Sequence, residues 1–113
     1  MKLGTLKRKL DAKIQANRTE TTCLICGAPA SVLHHYVQKR QCEALRYEPR
    51  NHIPLCGSCH YKLHTKDASL SGRIAIIKGK RWEAWIQEKR KELVKQDKAY
   101  QQKLEKLLKE ASP

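Results

Sequence analysis

Apolar residues recur at Leu3, Leu6, Leu10 and Ile14, with Lys7, Arg8, Lys9 and Lys13 set between them. That three-and-four spacing predicts an amphipathic helix over 3–16 with a solvated basic face. The same face also suits an arm lying along a polyanion. Thr19 to Thr22 form a polar connection. Residues 31–37 are rich in β-branched and aromatic types and predict a short strand. Residues 38–50 read as a basic loop with one helical turn, closed by Pro49. Residues 51–55 make a second extended piece, and Pro54 marks it as an edge strand. A helix is expected from Gly57 to about Thr65. Residues 66–80 form a Gly- and Ser-containing connector, with Ile74 to Ile77 as a candidate strand. A long helix is then expected from Lys80 to about Glu110. Its contact positions are Trp82, Trp85, Ile86, Leu93, Tyr100, Leu104, Leu107 and Leu108, and Gln96 and Asp97 interrupt the stripe. No internal repeat is visible.

Composition narrows the class. In 113 residues there are 24 Lys and Arg against 11 Asp and Glu, a formal charge of +13. The excess is spread along the chain with no offsetting acidic segment, which suits a phosphate backbone. Aromatic residues make up only 5% and Phe is absent, so the core must be small. Small scaffolds commonly add a disulfide or a metal. No apolar run approaches a membrane span of about 18 residues, and the first fifteen residues hold no signal-type apolar segment. The expectation is a cytoplasmic protein with reduced cysteines and no membrane partner. Spaced cysteines in that compartment are more often metal ligands than disulfides.

All five histidines and all five cysteines fall between Cys23 and His64. Cys23 and Cys26 form one pair, Cys56 and Cys59 a second at the same spacing, and 29 residues separate them. Gly27 and Pro29 make a turn straight after the first pair. Two such knuckles can supply four thiolates to a tetrahedral Zn²⁺, a closed site and therefore structural. Cys42 is the odd cysteine and reads as a bystander. His60 and His64, four apart on the predicted helix, share one face. Of His34 and His35, adjacent on a strand, one can face a metal while the other points away. Three imidazoles leave coordination positions open, the arrangement of a catalytic rather than a closed centre.

Leu33-His34-His35, then Arg50-Asn51, then Cys59-His60 and His64 together resemble the HNH endonuclease motif, in their order and their intervals. The interleaved cysteine pairs are similar to the zinc-stapled subset found in phages and prophages. The likeness covers residues 23–64. It implies a small α+β fold, a treble-clef ββα-metal core between a basic N-terminal helix and a long basic C-terminal helix. Residues 1–22 would be the helix and linker, 23–65 the nuclease core, and 66–113 the connector and long helix. His34, His60 and His64 would hold the catalytic metal (Mg²⁺, Mn²⁺, Ni²⁺ or Zn²⁺), and three imidazoles favour the softer ions. His35 would be the general base and Asn51 would hold the base-bearing segment. The reaction implied is DNA hydrolysis leaving 5′-phosphate and 3′-hydroxyl ends, in a bacterial or phage-infected cell.

Tyr36 and Val37 depart from the resemblance, since many members place an apolar residue and then a proline there. His52 has no family role; it reads as a solvent-facing strand residue, with a phosphate contact as the alternative. Arg50, Lys39, Arg40 and Arg46 lie between the His pair and the metal helix, so they are the candidates for DNA phosphates, with Arg50 first. No base-reading element is apparent, so cutting with little sequence preference is expected. The long C-terminal helix is a candidate surface for a protein partner or homodimer. The rival reading is a zinc-stabilised DNA-binding or recombination accessory protein that does not cut by itself.

Overall fold

The computed structural model describes residues 1–111. In chain order it contains α1 (Leu3–Ala16), β1 (Val32–His35), β2 (His52–Leu55), α2 (Gly57–Thr65), α3 (Leu70–Lys78), α4 (Lys80–Arg90) and α5 (Lys98–Ala111). It is an α+β chain in two compact units, Glu20–Leu93 and the pair of terminal segments Met1–Thr19 and Val94–Pro113. Among the described residues no helix is long and apolar enough to cross a membrane.

Residues 20–93 are organised around a two-stranded sheet. β1 and β2 pair antiparallel with His34 opposite Ile53 and His35 opposite His52. Ile53 and Leu55 are buried on one face of this sheet and Leu33 on the other. Pro54 lies on β2, which has one strand partner, so its missing N–H breaks no second ladder. Its carbonyl accepts from Leu24 N at 2.9 Å, tying the first knuckle to the sheet. That knuckle turns at Gly27, whose φ of +78° is left-handed backbone that glycine adopts without a Cβ penalty. Gly27 N donates to the Cys23 carbonyl at 3.0 Å and Cys23 N to the Ala28 carbonyl at 2.7 Å. α2 starts from Cys56, whose sulfur accepts from Cys59 N at 3.3 Å and serves as the helix cap. The loop between the strands holds two short 3₁₀ turns, Glu43–Leu45 and Pro49–Asn51, where one helical turn was expected.

Two expectations about the C-terminal half need correction. Residues 74–77 are not a strand but belong to α3, which buries Leu70 and Ile74 and leaves Ile76 81% exposed. The β-branched run misleads because burial recurs at four rather than two. Asp67 opens this segment, its carboxylate accepting from Ser69 N at 3.1 Å and from the Ser69 hydroxyl. Gly79, at φ +98°, then separates α3 from α4.

The long helix is also two helices. α4 ends at Arg90, and Asp97 starts α5 by accepting from Tyr100 N at 3.0 Å. The interruption at Gln96 and Asp97 is therefore a helix N-terminus of the usual acidic kind. Leu93, expected in the contact stripe, lies in the break and is 99% exposed.

In the second unit α1 and α5 lie side by side. Gln101 Nε2 donates to the Met1 carbonyl at 2.9 Å, and Asn17 donates to the Ala111 carbonyl at the other end. The start of α1 thus meets the start of α5 and the end meets the end, so the two helices run parallel. Leu6, Leu10 and Leu104 are buried between them. The Leu104 face of α5 is covered by the chain's own first helix.

Candidate metal centres

Each knuckle contributes two sulfurs to one cluster. The Sγ atoms of Cys23, Cys26, Cys56 and Cys59 all lie within 4.8 Å of one another, and no disulfide links them. Cys26 and Cys56 approach to 3.6 Å. A disulfide would need about 2.05 Å, whereas a tetrahedron of sulfurs around Zn²⁺ at about 2.3 Å has edges of about 3.8 Å. The spacing is that of a coordination polyhedron.

Protonation agrees with that chemistry. Burial works to raise the Cys23 thiol, but hydrogen bonds from the backbone of Cys26, Cys56 and Ile25 and from the Cys26 side chain outweigh it and bring the thiol down to about 6. The backbone N–H of Cys59 lowers Cys56. Cys59, buried against the other three sulfurs, is pushed up to about 12. Without a cation the four sulfurs cannot all ionise; a soft dication removes that conflict, so the donor set fits structural zinc.

The second cluster joins β1 to α2. The ligating nitrogens of His34, His60 and His64 also lie within 4.8 Å of one another. Ring centroids are 5.3 Å apart for His34 and His60, 5.2 Å for His34 and His64, and 4.6 Å for His60 and His64. The Nε2 atoms of His60 and His64 are 3.0 Å apart, close to the roughly 3.3 Å edge of a tetrahedral site with bonds of about 2.0–2.1 Å. Burial, then the neighbouring His60, His64 and His35, lowers His34 to about 4. Burial and His64 also lower His60. Both rings are therefore neutral near pH 7, the form that offers a lone pair to a metal. His34 and His64 line a cleft of about 230 Å³ together with Tyr36, Gln38, Leu63, Ala68 and Ser71. His64 is exposed and His60 half-buried, so this centre is reached from solvent.

Asn51 is fully buried below the sheet. Its Oδ1 accepts from Val37 N at 2.9 Å, and its Nδ2 donates to the carbonyls of Val37 and Leu45, each at 3.1 Å. One amide thereby fixes the exit of β1 to the turn that precedes β2. Asn51→Ala leaves three buried backbone groups unpaired, each worth roughly 1–3 kcal/mol. The variant is expected to lose about 3 kcal/mol or more in urea denaturation.

His35 does not join the trio. Strand alternation turns it to the other face, where its Nε2 donates to the Arg46 carbonyl at 2.9 Å. His52 does the same at 2.9 Å, and the two rings meet edge to face with centroids 4.7 Å apart. A carbonyl only accepts, so both rings carry hydrogen on Nε2. The solvent-facing reading of His52 is thus overturned: it is 8% exposed and is the cross-strand partner of His35. The sequence held a signal for this, because an antiparallel register that buries Ile53 beside His34 forces His52 opposite His35.

The basic candidates separate. Lys39 and Arg40 are exposed on a turn closed by Gln41 N donating to the Gln38 carbonyl at 2.9 Å. Arg50 is exposed, with its guanidinium 4.0 Å above the Trp85 ring, and Trp82 Nε1 donates to its carbonyl at 2.7 Å. Sequence reasoning missed this pair of tryptophan contacts. Arg46 is mostly covered and 3.8 Å from Glu43, so it contributes its carbonyl rather than an exposed charge. Cys42 is buried, its thiol 3.7 Å from the Arg90 carbonyl, and it is no member of the four-sulfur cluster.

Comparison with known proteins adds one partial likeness. The chain is 36% identical over 55 residues to a mitochondrial DNA mismatch repair protein mutS homolog of Sarcophyton glaucum. The match covers 45% of this chain and only 6% of that protein. No protein-family profile matches the chain, and no solved structure does.

Proposed function

We propose that this chain is a metal-dependent DNA endonuclease of the HNH kind, built on a zinc-stapled treble-clef ββα-metal core. The observation that carries the reading is the convergence of His34 from β1 with His60 and His64 from α2 beside a closed four-sulfur cluster. A purely structural chain gains nothing from a second, open ligand set lined by a cleft. His34, His60 and His64 would hold the catalytic ion. Bound there, a divalent metal supplies Lewis-acid stabilisation of the charge that grows on the scissile phosphate and the leaving oxygen.

The other steps belong to the chain's own residues. His35 takes the proton from the attacking water. Its Nε2–H donates to the Arg46 carbonyl, so Nδ1 is the atom that receives the proton. Asn51 anchors the strand that carries both His34 and His35. Arg50, its guanidinium over the Trp85 ring, offers its outer donors to a phosphate, and Lys39 and Arg40 add charge. The products are 5′-phosphate and 3′-hydroxyl ends, cut with little sequence preference. A relative named for DNA mismatch repair is in keeping with DNA as the substrate.

A second reading has a specific observation in its favour. His35 lies on the face opposite the trio, in contact with His52. A chain that only binds DNA, or cuts when a partner reorders this strand, would tolerate that arrangement. The test is supercoiled plasmid with chelator-treated protein that retains its structural zinc, supplied separately with Mg²⁺, Mn²⁺ and Ni²⁺. Conversion to open circles whose ends accept ligation without prior phosphorylation is the expected result. Binding without conversion under every metal favours the second reading.

A further inference from the structure

The parallel pair α1 and α5 carries charge that the metal centres do not use. Residues 1–19 and 94–113 hold eleven Lys and Arg against four Asp and Glu. Between the helices lies a cleft of about 400 Å³ lined by Lys9, Ala12, Lys13, Ala16 and Leu108. Lys9 and Lys13 are one turn apart on α1, where like charges cost helix stability rather than add to it. Among the described residues neither ammonium is hydrogen-bonded or ion-paired, whereas Lys7 donates to Gln96 at 2.9 Å and Arg8 to Thr5 at 3.3 Å. Two lysines one turn apart thus share a cleft with two alanines and a leucine.

We propose that this cleft is a second, separate binding site for the sugar–phosphate backbone of duplex DNA. The two ammoniums match phosphate oxygens, and the small apolar floor matches the face of a deoxyribose. A lipid surface fits less well. Membrane binding by a basic helix needs a free apolar face. Here Leu6, Leu10 and Leu104 are buried between the helices, and among the described residues of these segments Met1 is the one large apolar side chain that is exposed. The inference rests on the reading that the chain acts on DNA, but it concerns affinity and not cleavage.

The test is therefore binding of the full zinc-loaded chain to a labelled duplex over a range of salt concentrations, without added catalytic metal. Each neutralised phosphate contributes about 0.9 to the slope of log K against log salt. Lys9→Gln with Lys13→Gln is expected to lower that slope by about 1.8, and to weaken binding at low salt on the order of tenfold or more. A control of equal net charge, Lys89→Gln with Lys91→Gln, removes ammoniums that already contact Glu92 at 3.2 Å and Glu88 at 3.1 Å. It should leave the slope nearly unchanged. Glutamine is a good helix former, so the folded helix pair is retained and is checked by circular dichroism. Equal loss in both double variants would reduce the cleft to general charge and overturn the proposal. So would an unchanged slope in the first variant, or a loss confined to binding of phosphatidylserine vesicles. Plasmid cleavage by the wild type is read separately, so failure of this site and failure of the nuclease reading give different results.

Discussion

Cys56→Ser is expected to unfold residues 20–93, with loss of zinc and of the cooperative melting transition. Cys56 does two jobs, since its sulfur belongs to the four-sulfur cluster and also caps α2. Structural zinc supplies roughly 10–16 kcal/mol of folding free energy in small metal-stabilised domains. That is as large as the whole net stability of an ordinary domain, about 5–15 kcal/mol. The small core cannot compensate, because it is a single cluster running from the knuckles through β2 to α3 and α4. Cys42→Ser provides the contrast. Cys42 is equally buried but is no member of the sulfur cluster, and its thiol faces backbone carbonyls of α4, to which a hydroxyl can donate. Its expected cost is below about 2 kcal/mol, and zinc content should not change. Metal analysis and thermal melting of the two variants check the pair; a Cys56→Ser protein that keeps zinc and melts like the wild type would remove the structural role of the cluster.

His60→Ala is expected to abolish metal-dependent cleavage, by about 10³-fold or more, while leaving the structural zinc and the fold in place. His60 is half-exposed on α2, outside the buried core, so its removal creates no cavity. What it removes is one of three imidazoles whose nitrogens lie within 4.8 Å of one another. Even partners one shell further out commonly change metal affinity 10–100-fold, and a direct ligand changes it more. Calorimetric titration of Mn²⁺ or Ni²⁺ into chelator-treated protein should show one weaker exchangeable site in the wild type and its loss in the variant. Retained affinity would place the exchangeable metal elsewhere.

Much of this arrangement was legible because metal sites and helix faces have short periods. The two cysteine pairs and the four-residue step from His60 to His64 specify local geometry directly, and both clusters assemble as their spacing implies. The α1 stripe and the limits of α2 follow from capping and periodicity in the same way. Tertiary context decided the rest. Ile74 to Ile77 carry strand-forming side chains, yet the burial of Leu70 and Ile74 one turn apart selects a helix. The break before α5 was visible as a flaw in the stripe, but Asp97 shows its purpose only when it accepts from Tyr100 N. His52 looked solvent-facing until the strand register placed it against His35, and Arg50 gained its partner only when α4 folded back over the loop. Such long-range pairings have no local signature.

The most direct test of the account compares plasmid nicking by the wild type and by His35→Ala at matched occupancy of the exchangeable metal. General-base catalysis contributes about 10²–10⁴-fold. The account predicts nicking by the wild type and a loss of that size in the variant, with metal affinity unchanged because His35 lies outside the ligand trio. Equal rates in the two proteins would contradict it, as would a wild type inactive under every metal.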